Sequence, residues 1–223
     1  MREIVFDTET TGFDPLSGHR MAEIGCIEIV NGIPTGKHFH RYINPERDMP
    51  PAAEAVHGLS VEFLSDKPVF GEIVGDLLEF IAADPLIAHN AGFDISFLDA
   101  ELTRLGFPVI EPSRVICSLI MARKAFPGQP CSLDALCKRF AIDLSERTHH
   151  GALLDARLLA DVYLELQGGR QRGLSMQFAV RGGTTNGKRE TRKARPHEVP
   201  ADELAAHEAA VEKLKNPLWK TAS

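Results

Sequence analysis

Apolar residues along the chain recur at two spacings. Phe70, Ile73, Val74, Leu77, Leu78 and Ile81 follow three- and four-residue steps, so residues 70–82 are predicted to form an amphipathic helix. Phe97, Leu98, Leu102 and Leu105 repeat that stripe and predict a helix over 93–105, stopped by Gly106 and Pro108. Leu158, Leu159, Val162 and Leu166 predict a third over 151–166, and Ser132 can N-cap a shorter one through about residue 140. Short apolar runs at 2–6, 85–88 and 115–116 read as buried strands. Residues 22–30 and 37–43 read as two further strands joined around Asn31-Gly32, a common turn signal. Three strands, a helix, a strand, a helix, a strand and more helices predict an α/β fold with a mixed sheet flanked by helices. The chain shows no internal repeat.

The pattern changes after Gly168-Gly169. Residues 168–200 are rich in Gly, Arg, Lys and Thr and poor in apolar side chains, and they read as a flexible linker. Helical spacing resumes over 202–215, with Leu204, His207/Glu208, Val211, Leu214 and Leu218 near one stripe and Trp219 just beyond. A short amphipathic tail cannot bury its own apolar face, so 201–223 reads most simply as a docking peptide. A helix folding back on the body is the alternative. The expected division is therefore a body over 1–167, a linker over 168–200 and a tail over 201–223.

Charge sharpens this division. The 223 residues carry a net charge of −6, but residues 1–167 hold 14 Lys+Arg against 25 Asp+Glu, whereas 168–200 hold 8 against 2. An acidic body is a poor binder of phosphate chains by itself. If it acts on nucleic acid, metal ions or a partner must supply positive charge. The hydrophobic fraction of 43% is ordinary for a globular protein, and no apolar run approaches the roughly 20 residues of a membrane span. No secretory pattern precedes the first strand, and Cys26, Cys117, Cys131 and Cys137 form no CxxC pair, so thiols in a reducing cytoplasm are expected.

The candidate chemistry lies in carboxylates. In Phe6-Asp7-Thr8-Glu9-Thr10, strand alternation puts Asp7 and Glu9 on one face. If the strand has already ended, Glu9 instead points to water. Asp94 shares the stripe of Phe97, Leu98 and Leu102, and Asp155 that of Leu158, Leu159 and Val162. A carboxylate aimed at a core is costly unless paired or metal-bound, although a helix cap would also account for Asp94. With no obvious Lys or Arg partner among the four, divalent cations are the expected counter-charge, and oxygen ligands favour Mg²⁺ or Mn²⁺ over zinc. His150 lies five residues before Asp155 and so belongs at or before the helix start. From such an approach loop it could serve as general base. Read alone, the pair His149-His150 reads rather as a surface feature.

Three segments carry a family resemblance: VFDTETTG at 5–12, HNAGFDISFLD at 89–99 and HGALLDA at 150–156. In this order they resemble the exonuclease motifs of the DnaQ-like superfamily, and Asp7, Glu9, Asp94, His150 and Asp155 match its DEDDh subgroup. The resemblance implies a ribonuclease H-like five-stranded mixed sheet and two-metal hydrolysis of the 3'-terminal phosphodiester. Asp7 would then bridge two Mg²⁺ or Mn²⁺ ions, Glu9 and Asp155 would hold the ion nearest the attacking water, Asp94 would support the second, and His150 would be the base. It also implies that Thr10, His57, His89 and Phe93 lie near the terminal nucleotide. Independently of the resemblance, His57 could be a loop histidine before Gly58, and His89 a strand-end histidine bonded to backbone.

The tail is similar to that of proofreading subunits of bacterial replicative polymerases. That similarity implies DNA 3' ends as substrate and a polymerase catalytic subunit docked on residues 201–219. A sliding-clamp contact at 173–178 (GLSMQF) would lack the usual leading Gln, with Gln171 displaced. Cys117 also departs from the family, which often has an acidic residue there. Two alternatives stay open at this stage: an RNA-trimming exonuclease or oligoribonuclease of the same superfamily, and a non-catalytic subunit that stabilises a polymerase.

Overall fold

A computed structural model describes residues 1–145, 147, 149–168 and 199–214. The first three stretches form the body, and 199–214 belong to a separate unit. In the body, β1 (Arg2–Thr10), β2 (Met21–Val30) and β3 (Ile33–Tyr42) form an antiparallel meander. Two short helices follow, α1 (Pro51–His57) and α2 (Val61–Leu64), then α3 (Phe70–Ile81). The parallel part alternates β4 (Leu86–Ala88), α4 (Ala91–Arg104) and β5 (Val115–Cys117). Helices α5 (Ser118–Ala125), α6 (Leu133–Arg139) and α7 (Ala152–Leu166) complete the body. The sheet order is β3-β2-β1-β4-β5, a mixed five-stranded sheet as expected.

Strand alternation splits β1 between two cores. Ile4 and Phe6 face one side, packed with Phe70, Leu77, Phe97 and Leu102 of α3 and α4. Val5 faces the other, packed with Ala156, Leu159 and Tyr163 of α7. Two polar anchors fix these helices on the sheet. Arg20 pairs through two bonds, 2.6 and 2.9 Å, with the buried Glu101 of α4. The Tyr163 hydroxyl donates to Glu3 of β1 at 2.7 Å in the buried interface.

Several boundaries differ from the sequence reading. β1 runs four residues past the apolar run 2–6, because pairing with β2 continues to Glu9↔Glu23 and Thr10↔Met21. β3 begins at Ile33 rather than residue 37, and its Pro34 is tolerated because β3 is an edge strand that needs no outward N–H. Helices α1, α2 and α5 were not foreseen. They span 7, 4 and 8 residues, too short to show an apolar period. Ser132 caps α6 as expected, its hydroxyl accepting from Ala135 N.

In the tail, α8 (Ala201–Glu212) is helical where a helix was expected, and none of its side chains is buried. The expected clamp segment 173–178, Leu218 and Trp219 lie outside the described residues.

Candidate active site

The carboxylates meet where β1 and β4, which run parallel, both end. Asp7 and Glu9 sit on the same face of β1, as period two requires, and Glu9 is buried rather than turned to water. A bulge between Glu9 and Thr10 breaks the ladder at this point, a common device beside functional sites. Asp94 occupies the first turn of α4 and Asp155 the first turn of α7, where the helix N-terminus favours negative charge. Both are buried. The sharp turn from β4 into α4 puts Asn90 at φ 66, a conformation asparagine tolerates.

Gly25 sets the position of Asp155. It pairs with Asp7 across β1 and β2. A Cβ on it would lie 2.4 Å from Leu153 N and 2.5 Å from the Ala152 carbonyl carbon. The missing side chain lets the first turn of α7 rest on the sheet beside Asp7 and Glu9.

A single cleft is lined by Asp7, Glu9, Asp94, Asp155, His89 and His150, among others. Crowding is visible in the acidities. Burial and then the neighbouring carboxylates Asp94, Glu9 and Asp155 push the Asp7 pKa well above the ordinary range. Burial, then Glu23 directly across the strand pair, then Asp155 push Glu9 to about 8. Burial raises Asp94 to about 7, although the Thr8 hydroxyl, donating at 2.7 Å, works against it. Three carboxylates that resist ionisation at neutral pH mark a place built for additional positive charge.

One atom each from Glu9, His150 and Asp155 lies within 4.8 Å of the other two, a spacing that could hold a cation. Asp7 and Asp94 add hard oxygen donors alongside, a set that fits Mg²⁺ or Mn²⁺ better than zinc.

Two residues next to these carboxylates were not read from the sequence. Glu23 lies opposite Glu9, is buried, and contacts His40 Nε2 at 2.7 Å. Its one signal was an acidic residue inside the apolar run 22–30. The second is a correction: no cation was expected among the carboxylates, yet Arg147 is there. Its Nε and Nη2 each lie 2.6 Å from an oxygen of Asp155, and its Nη1 bonds Asp134. A loop residue has no periodicity to announce where it points.

His150 sits just before α7, as expected, with its side chain 49% exposed and Nδ1 3.2 Å from Asp155. The loop carrying it is pinned to α1: His150 N donates to Val56 O at 3.3 Å, and His149 lies over Gly58.

Beside the cleft is a second cavity of about 350 Å³, lined by Thr10, Phe13, Val56, His57 and Phe93 among others. Phe93 borders both cavities and packs on Phe97 with centroids 5.1 Å apart. His57 ends α1, its Nδ1 accepting from Leu59 N at 3.0 Å, and burial lowers its pKa. The Thr10 hydroxyl donates to Gly12 O at 2.6 Å, so it also shapes its own turn. His89 borders the carboxylate cleft, with Nδ1 2.9 Å from the Ser118 hydroxyl. Cys117 ends β5 and packs against the core.

Residues 4–163 match the exonuclease family RNase T. The DNA polymerase III subunit epsilon of Rickettsia felis is 58% identical over 179 residues, covering 79% of this chain and 78% of that protein. The subunit of the same name from Escherichia coli K12 is 42% identical, covering 98% of this chain and 97% of its own length. Among solved structures, exonuclease X in complex with 5' overhanging duplex DNA superposes with a TM-score of 0.60 at 24% identity, covering 74% of this chain and 90% of that one. The nuclease domain of 3'hExo, a DEDDh family member bound to rAMP, superposes at 0.63 and 14% identity, covering 74% and 91%. At those identities the superpositions speak for the fold. Among the described residues, no helix is long and apolar enough to cross a membrane. With a family match over residues 4–163 and 42% identity across 98% of its length, the chain belongs to the exonuclease family of DNA polymerase III epsilon subunits.

Proposed function

We propose that the cleft removes mispaired nucleotides one at a time from DNA 3' ends as two-metal proofreading chemistry, with Asp7, Glu9, Asp94 and Asp155 as the metal ligands. The observation that carries this reading is the convergence of four carboxylates from three distant chain segments, three of them with pKa values raised above the ordinary carboxylate range. When bound there, a pair of Mg²⁺ or Mn²⁺ ions would polarise the attacking water and neutralise charge on both the entering and leaving oxygens.

The chain's own residues do the remainder. His150, exposed at the rim, takes the proton from the attacking water. Phe93 and the cavity beside it, with His57 and Thr10, hold the terminal nucleotide, and Phe93 stacks or wedges against its base. His89, steadied by Ser118, borders the scissile phosphate. Residues 1–167 act as the nuclease, 168–200 as a basic tether and 201–219 as the polymerase dock. The tether raises the effective concentration of the nuclease at the primer end. A clamp contact at 173–178 would add a second attachment. Four free thiols suit the cytoplasm, where replication takes place.

The test is digestion of a 3'-mismatched primer by the full chain in Mg²⁺, with single-stranded RNA run in parallel. Asp7→Asn should cut turnover by at least about 1000-fold. Retained activity in that variant would remove the metal assignment, and faster digestion of RNA would redirect the substrate.

A further inference from the structure

Arg147 lies in the loop ahead of α7 with its side chain only 9% exposed. It holds both Asp155 oxygens, and the same Nη2 reaches His150 Nδ1 at 2.8 Å. A guanidinium has donors and no acceptor. Of the two contacts at Nδ1, the guanidinium at 2.8 Å is shorter than the Asp155 oxygen at 3.2 Å, and the guanidinium bond forms with the ring proton on Nε2. The oxygens of Asp155 that could face a cation and the imidazole lone pair that could take a proton are both engaged by one side chain. The remaining arm of the guanidinium bonds Asp134, in the first turn of α6, which is half exposed at the cleft rim.

We propose that Arg147 is a displaceable internal counter-ion, so that cation entry at Asp155 and release of His150 are a single exchange. The inference rests on the metal-site reading above. Its physical basis is exclusion. A divalent cation at Asp155 competes with the guanidinium that holds both of its oxygens at 2.6 Å, because the two positive charges repel in a poorly solvated cleft. Without metal, Arg147 supplies the positive charge the crowded carboxylates need, and its own pKa is raised by Asp155, Asp134 and Asp7 against the opposing effect of burial. With metal, it withdraws toward Asp134, and the Nδ1 lone pair of His150 is freed in the same movement. The base is thus held idle until the site is loaded. His150 N stays bonded to Val56 O.

The exchange predicts that Arg147 competes with metal. Titration calorimetry of the metal-free full chain with Mn²⁺ should show Arg147→Gln binding roughly tenfold more tightly than the native protein. The same variant should melt at a lower temperature in chelator, because buried Asp155 has lost its contacting guanidinium. Equal or weaker Mn²⁺ affinity in Arg147→Gln overturns the inference while leaving the metal site standing. Absence of Mn²⁺ binding in both proteins removes the metal site and the inference together.

If Arg147→Gln does not fold, the native protein carries the test. The ¹⁵N imidazole signals of His150, identified by their loss in His150→Gln, should report an Nε2–H ring with an occupied Nδ1 in chelator. They should shift when Mg²⁺ saturates the site. Signals unchanged by Mg²⁺ would refute the exchange.

Discussion

Asp94 and Asp155 reach the same cleft from opposite faces of the sheet and are neutralised in different ways. Asp94 arrives on α4, packed over Phe6 and Phe97, and its one side-chain partner is the uncharged hydroxyl of Thr8. Asp155 arrives on α7, packed over Val5 and Leu159, and its partner is a guanidinium on a loop. In the α4 half, burial raises the Asp94 carboxyl to about 7, with only hydrogen bonds working against it. The α7 half brings its own positive charge on Arg147, which lies outside any helix or strand. Metal would thus complete one half and displace a group from the other.

The largest expected effect tests what the halves share. Asp94→Asn and Asp155→Asn should each lower exonuclease turnover at least about 1000-fold, since either loss removes a ligand. A primer-digestion assay in Mg²⁺ decides this, and a mild effect on one side would show that only the other half carries chemistry.

Gly25→Ala attacks the α7 half alone. The new methyl meets α7 backbone at 2.4 Å, which should cost about 2–3 kcal/mol and lower Tm by roughly 4–12 °C. The displaced Asp155 should cost activity by about 100-fold. Thermal melting and the primer assay together check it, and native values for both would mean that this contact does not seat α7.

Thr8→Val addresses the α4 half. It keeps the shape and removes the one hydroxyl donor to Asp94, so Mn²⁺ affinity should fall by about tenfold. Calorimetry should show this with little change in the melting of the metal-free protein.

The smallest effect is a pH dependence of the metal-free protein. Glu9 is raised to about 8 and Asp94 to about 7, against roughly 4 in an unfolded chain. The folded state therefore binds these protons more tightly. Their stabilising contribution is full below about pH 4 and is lost as pH rises through 7 to 8. In chelator, Tm should fall between pH 5 and pH 9 by more than it does with Mn²⁺ present. A chelated protein as stable at pH 9 as at pH 6 would contradict the crowding of carboxylates.

Much of this arrangement is written in local pattern. The stripe from Phe70 to Ile81 forms α3, and Asp94 and Asp155 are legible because each occupies an apolar position of its helix. Asp7 and Glu9 are legible as alternate positions of a strand. Helices α1 and α2 escape because so few residues show no period, and the long β1 escapes because its last residues are polar. Glu23 becomes meaningful only when register sets it opposite Glu9.

The sequence by itself determined which side chains face inward, since helix and strand periods depend only on neighbours along the chain. It also determined the order of the motifs and the change from an acidic body to a basic stretch. Only the tertiary structure decided how the inward residues meet. Gly25 receives α7 because backbone must approach backbone there, and Arg147, outside any helix or strand, is set on Asp155 by a tertiary contact. Both are contacts between segments far apart in sequence or outside any regular element, where no local periodicity encodes the partner.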